Sequence, residues 1–137
     1  MKKINRRKFI KSSALIGAST ALYSSKLFDS KNSDKKLRLG IIGTGLRGQW
    51  MTHLCLLRND VEIKAICDID YGMINKTLNL IKDAGVFPPD VYKNGDHDFL
   101  NLVKRDDIDA VYIATPWEWH HPMAIAAMEE GKHVGTE

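Results

Sequence analysis

Only two cysteines, Cys55 and Cys67, stand in the 137 residues, too few for a disulfide scaffold. Both lie among apolar neighbours and read as small buried hydrophobes. No apolar run approaches the roughly 20 residues that a membrane-spanning helix needs. The best candidate, residues 13–23, is short and only mildly apolar. One charge sign is scarce in each part of the chain. Residues 1–36 carry ten Lys/Arg and two Asp, a net of +8. Residues 37–137 carry ten Lys/Arg and fifteen Asp/Glu, a net of −5. The overall +3 therefore misrepresents the body, which is mildly acidic, and a nucleic-acid partner is not expected.

The basic segment has the parts of an export signal. "MKKINRRKFIK" is a charged start, a short apolar stretch follows, and small polar residues come after it. Arg6 and Arg7, followed by Phe9, Ile10 and Lys11, resemble the twin-arginine signal. The expectation is export by that route, to the periplasm, with the export machinery as a partner. Membrane contact is then confined to export or to an uncleaved signal. The domain division expected is a signal and linker over residues 1–36 and a globular domain over residues 37–137.

The body alternates strand and helix. "LRLGIIG" (37–43), "VEIKAICD" (61–68), "DAVYIA" (109–114) and "KHVGTE" (132–137) read as strands, with a brief one near Val91 and Tyr92. Helices are expected over residues 46–57, with Trp50, Leu54 and Leu57 on its apolar face, and over 71–85, with Ile74, Leu78 and Ile81 inward. Two more are expected over 96–105 and 122–131, the last opening on Pro122 and closing on Gly131. This alternation predicts an α/β fold, a Rossmann-type doubly wound parallel sheet.

"GTGLRG" places Gly43, Gly45 and Gly48 as G-x-G-x-x-G between a strand and a helix. In that context the glycines allow a tight turn, a close approach to a pyrophosphate, and helix-on-strand packing. Asp68 ends the second strand twenty residues later, where an acid can take a ribose 2′-hydroxyl and repel a 2′-phosphate. NAD is the expected cofactor, preferred to NADP. Arg47 is the competing signal, since an Arg nearby can accommodate a 2′-phosphate.

"TPWEWHHP" (115–122) follows the third long strand, at a carboxyl end where ligands of open α/β sheets lie. Trp117 and Trp119 offer flat apolar surfaces, Glu118 can accept from hydroxyls, and His120 is the candidate catalytic group beside a reacting hydroxyl. Alternatives stay open: the tryptophans as packing against a second domain, Glu118 as a solvated residue, His121 as part of a helix start. A metal held by Glu118, His120 and His121 is not expected, because adjacent histidines rarely converge on one ion.

"GIIGTGLRG", "AICDID" and "ATPWEWHHPMAIAAMEEGKHVGTE" resemble the glucose–fructose oxidoreductase and inositol dehydrogenase superfamily. The "TPWEWH" form is similar to glycoside hydrolase family 109, the NAD-dependent α-N-acetylgalactosaminidases, many of which carry twin-arginine signals. By that resemblance Leu46, Arg47, Asp68, Trp117, Glu118, Trp119, His120 and Glu137 fall on cofactor-binding positions. The family continues past the position of Glu137 into an α/β substrate domain, so the chain reads as an N-terminal portion with its main catalytic residues elsewhere. The implied activity is hydrolysis of an α-linked N-acetylgalactosamine or similar glycoside with tightly bound, recycled NAD. Exported sugar oxidoreductase and inactive nucleotide-binding fragment are the alternatives. A small-molecule or glycan substrate is the expected ligand; a homo-oligomer is allowed and not required.

Overall fold

The computed structural model describes residues 35–137. The expected export signal, with Arg6 and Arg7, lies outside the described residues.

Among the described residues nine elements follow in order: β1 (Leu37–Ile42), α1 (Leu46–Leu56), β2 (Val61–Cys67), α2 (Tyr71–Asp83), β3 (Asp90–Tyr92), α3 (Phe99–Val103), β4 (Ala110–Ile113), α4 (Trp117–Glu129) and β5 (His133–Thr136). The five strands form one sheet in the order β3-β2-β1-β4-β5, and every pair is parallel. Each long expected strand is present to within about one residue, the ordinary uncertainty of a boundary.

The strands read as near-continuous apolar runs because both sheet faces are covered. Alternate residues of β1 divide between two cores. Leu39 and Ile41 join Ile66, Cys55 of α1 and Ile74 of α2 on one face. Ile42 joins Ala65, Val111, Ile113 and residues of α3 and α4 on the other. Gly40 faces that second core, where a methyl group would stand 2.7 Å from Leu102 Cδ2.

Three expectations change. The inward face of α1 is Gly48, Thr52 and Cys55, not Trp50, Leu54 and Leu57. Trp50 is half exposed and Leu57 mostly exposed. The cause is proximity: a methyl on Gly48 would lie 1.9 Å from the Gly43 carbonyl oxygen, so only small side chains fit beneath this helix. The helix expected over 96–105 shrinks to α3, because Gly95 (φ +103) and Asp98 make a turn first. The Asp98 carboxylate accepts from Asn94 N–H at 2.8 Å, and Asp98 N–H donates to Gly95. Finally, α4 begins at Trp117, and Pro122 sits inside it. The Pro122 ring removes only the bond that the Glu118 carbonyl would accept. Burial of Met123 and Ala127 and the packing of Trp119 against the core hold the helix through that gap and override the preceding residue's bias away from helix.

By contrast, α2 buries Ile74 and Ile81 as expected, with Leu78 half-buried beside them. Asp70 caps it, accepting from Gly72 N–H and Met73 N–H. Gly85 (φ +71) closes it with bonds from Gly85 N–H to Lys82 and Val86 N–H to Ile81, a Schellman ending. Gly131 (φ +71) closes α4 in the same way.

Candidate functional site

Strand order reverses between β1 and β4, whose connections leave on opposite sides. The carboxyl ends of these strands open a crevice, the place where open α/β sheets bind ligands. It has a volume of about 270 Å³ and is walled by Gly43, Gly45, Asp68, Met73, Thr115 and Trp119, among others.

The three loop glycines meet three different surroundings. Gly43 has φ +89, and a methyl there would press to 2.6 Å of the Ala114 carbonyl oxygen. The Gly45 position has nothing within 4 Å, so its backbone is open to an incoming group. Gly48 is crowded by backbone, as described above. Gly45 also serves as N-cap of α1 and has no side chain to satisfy the first-turn N–H groups. Those donors and the helix dipole suit an anion. Open space at Gly45 beside free helix-start donors fits a dinucleotide pyrophosphate.

Asp68 stands at the end of β2 and is bound into the loop. Its Oδ2 accepts from Thr44 N–H at 2.6 Å and Thr44 Oγ1–H at 2.9 Å; its Oδ1 accepts from Asp70 N–H at 2.9 Å. Thr44 is fully buried. Arg47 points elsewhere. Its Nη1 is 3.2 Å from Glu137 Oε1, and Tyr112 donates its hydroxyl to Glu137 Oε2 at 2.5 Å. Burial first, and then Glu137, push the Tyr112 hydroxyl up to about 12. Glu137 follows β5, three strand positions from β2, or roughly 14 Å at ordinary strand spacing. Arg47 is thus held on the far side of the loop from Asp68.

The aromatic stretch divides. Trp119 is half-buried, edge-on to His97 (5.6 Å between centroids) and Phe99 (6.4 Å), and presents itself to the crevice. It is both packing and wall. Trp117 is 87% exposed, Glu118 and His121 are exposed, and none of the three borders the crevice. His120 turns back so that Nε2 lies 2.7 Å from the Thr115 carbonyl oxygen, tying the first turn of α4 to the end of β4. Leu46, 87% exposed, projects from α1 into solvent. The crevice therefore gathers Gly43, Gly45, Asp68 and Trp119; Leu46, Arg47, Trp117, Glu118 and Glu137 lie around its outside.

Sequence reasoning missed Thr44, which holds Asp68, and the wall formed by Met73, Gly95 and Asp96. Thr44 occupies a variable position of the glycine pattern and carried no signal. The polar cluster "NGDHD" after β3 did carry one, since it sits at a strand's carboxyl end. Among the described residues no group of three His, Cys, Asp or Glu could hold a metal ion.

Comparison with known proteins agrees with this geometry. Residues 37–137 match the family model described as "Oxidoreductase family, NAD-binding Rossmann fold". The chain is 50% identical over 101 residues to a glycosyl hydrolase family 109 protein of Saccharopolyspora erythraea, covering 74% of this chain and 22% of that one. It is 40% identical over 136 residues to another of Stenotrophomonas maltophilia, covering 98% and 29%. The scyllo-inositol dehydrogenase of Lactobacillus casei, solved with bound NAD(H) and scyllo-inositol, superposes with a TM-score of 0.61 at 25% identity, over 74% of this chain and 28% of that one. The chain thus spans about a fifth to a third of the length of the relatives it matches.

Proposed function

The chain belongs to the oxidoreductase family with an NAD-binding Rossmann fold, and from that premise we propose that it is the cofactor-binding part of an NAD-dependent glycoside hydrolase. The substrate class is an α-linked N-acetylgalactosamine or a similar glycoside. The observation that carries the reading is a complete dinucleotide loop, open at Gly45, in a chain whose relatives are named for glycoside hydrolysis.

Bound NAD supplies a hydride acceptor that becomes a hydride donor, so the cycle is redox-neutral. The sugar is oxidised at C3, and the new ketone acidifies the C2 proton. Elimination expels the aglycone, water adds across the enone, and the C3 carbonyl is reduced again. A pair of flanking carboxylates is not required, unlike ordinary glycosidases. The residues of this chain bind and orient. The α1 start would hold the pyrophosphate and Asp68 would take the adenosine ribose, with Trp119 as a wall of the crevice. His120 fixes the β4–α4 turn through Thr115 and stands at the rim beside it.

A redox-neutral cycle also suits an exported protein, because NAD loaded before export need not be replaced outside the cell. We therefore place the protein in the periplasm by the twin-arginine route. Replacing Arg6 and Arg7 by Lys should hold it in the cytoplasm; undisturbed export would contradict that route.

The test of the chemistry uses the protein as its source makes it, with an aryl α-N-acetylgalactosaminide in deuterated water. Expected are release of the aglycone, deuterium at C2 of the freed sugar, and no build-up of NADH. Aglycone release without C2 deuterium would rule out the elimination route. The likeness to an inositol dehydrogenase favours a second reading, an exported sugar oxidoreductase. An oxidised sugar as the final product would support that one.

A further inference from the structure

The geometry points to Thr44 as the residue that positions Asp68 and thereby sets the preference for NAD over NADP. This rests on the assignment of Asp68 to the adenosine ribose.

Thr44 is fully buried, yet every polar group it has is engaged. Its N–H and its hydroxyl both donate to the same oxygen, Asp68 Oδ2. Its carbonyl accepts from Gln49 Nε2 at 2.9 Å and from Thr77 Oγ1 at 3.4 Å. Thr44 is itself anchored by α1 and α2, so the pair of bonds to Asp68 comes from a fixed point. Two donors on Oδ2, with Asp70 N–H on Oδ1, define the side-chain torsions of Asp68; losing the Thr44 hydroxyl leaves one bond on each oxygen and a looser carboxylate.

The consequence follows from the acceptor capacity of a carboxylate, about four lone-pair positions. Thr44 fills two on Oδ2, and Asp70 N–H fills one on Oδ1. One position remains on Oδ1, enough for a ribose hydroxyl. A ligand carrying a 2′-phosphate brings negative charge to the same place. An untethered acid could turn away and admit it; this one is held in position. Arg47, the nearby cation that could have compensated, is engaged by Glu137 about three strand positions away. With its N–H already bound to Asp68, Thr44 also leaves pyrophosphate contacts to the following amides.

The test titrates NAD and NADP separately into the full 137-residue chain by calorimetry, with thermal denaturation alongside. Thr44→Val and Thr44→Ala remove the hydroxyl; Thr44→Ser keeps it; Asp68→Asn removes the charge. Both hydroxyl-free variants should weaken NAD about tenfold, roughly one charge-assisted hydrogen bond, and NADP much less. The NAD-to-NADP affinity ratio should then fall toward that of Asp68→Asn, while Thr44→Ser keeps the original ratio. In the Asp68→Asn background, Thr44→Val should cost no further NAD affinity. An unchanged ratio in the Val and Ala variants, even with a lower melting temperature, would make Thr44 a folding residue only. Failure of both to fold while Thr44→Ser folds would overturn the proposal in the same way. Loss of the ratio in Asp68→Asn but not in the Thr44 variants would overturn the role of Thr44 alone. A chain whose Asp68→Asn form binds NAD as well as before, or that binds neither nucleotide, would overturn the ribose assignment beneath it.

Discussion

Gly45 and Gly48 differ in what an added methyl would meet, and the difference separates binding from folding. At Gly45 the space is empty, so Gly45→Ala should fold with a melting temperature within a few degrees of the parent while weakening NAD at least tenfold by filling the pyrophosphate approach. At Gly48 the methyl would lie 1.9 Å from a backbone oxygen. Backbone cannot yield as a side chain can, so Gly48→Ala should cost about 3 kcal/mol or more of stability. Thermal denaturation with nucleotide titration distinguishes the two; equal effects on both readouts would contradict the separation. The cysteines give a second check. Cys67 is 5% exposed, and burial pushes its thiol up to about 12. Burial likewise raises the Cys55 thiol. Neither should react with iodoacetamide at pH 8 until the chain unfolds. The turn at Gly43 and the close packing at Gly48 were legible from spacing because each answers to backbone sterics, which sequence context specifies. Thr44 was not legible, since its importance comes from what β2 brings to it across the fold. His120 was legible as a residue of interest, but its bond to the Thr115 carbonyl depends on how α4 turns away from β4.

Among the elements, β1 and β4 carry the crevice, and their amino ends are joined by one ion pair. Arg38 Nε and Nη2 donate to Asp109 at 2.9 and 2.6 Å, and Arg38 N–H adds a third bond at 3.0 Å. These contacts, the guanidinium first, hold the Asp109 carboxyl well below the usual carboxylate range. A depressed carboxyl stabilises the folded state above its unfolded value near 4, and that contribution disappears as pH falls through the folded value. The urea midpoint should therefore decline from pH 5 to pH 3. Asp109→Asn should lower the midpoint at pH 7 and flatten the decline. Asp60, Asp98 and Asp107 are also depressed, so the difference between parent and variant isolates Asp109. An identical pH profile in the variant would show that the pair contributes nothing. At this scale strands were read well, because two-sided burial makes them continuous apolar runs. Helices were read well only where the apolar stripe was wide, as in α2. In α1 close packing reversed the usual rule and put small residues inside and Trp50 outside. In α4 the local preference of Pro122 to start a helix lost to the burial of Met123 and the packing of Trp119.

For the whole molecule, strand–helix alternation was enough to predict a parallel sheet, whereas the order β3-β2-β1-β4-β5 is a tertiary fact. That order brings Gly43, Gly45, Asp68, Thr115 and Trp119 to one crevice although up to 76 positions separate them. It also sends Arg47 and Glu137 to the opposite flank from Asp68, an arrangement no local pattern records. The central claim is that this crevice, at the reversal between β1 and β4, holds NAD with its pyrophosphate on the start of α1. The most direct measurement is a titration of NAD into the ¹⁵N-labelled 137-residue chain, followed by amide and indole resonances. The account predicts saturable shifts at Gly45, Leu46, Arg47, Asp68, Thr115 and the Trp119 indole, largely abolished by Gly45→Ala. Saturable shifts confined to other surfaces, or none at millimolar NAD, would contradict it.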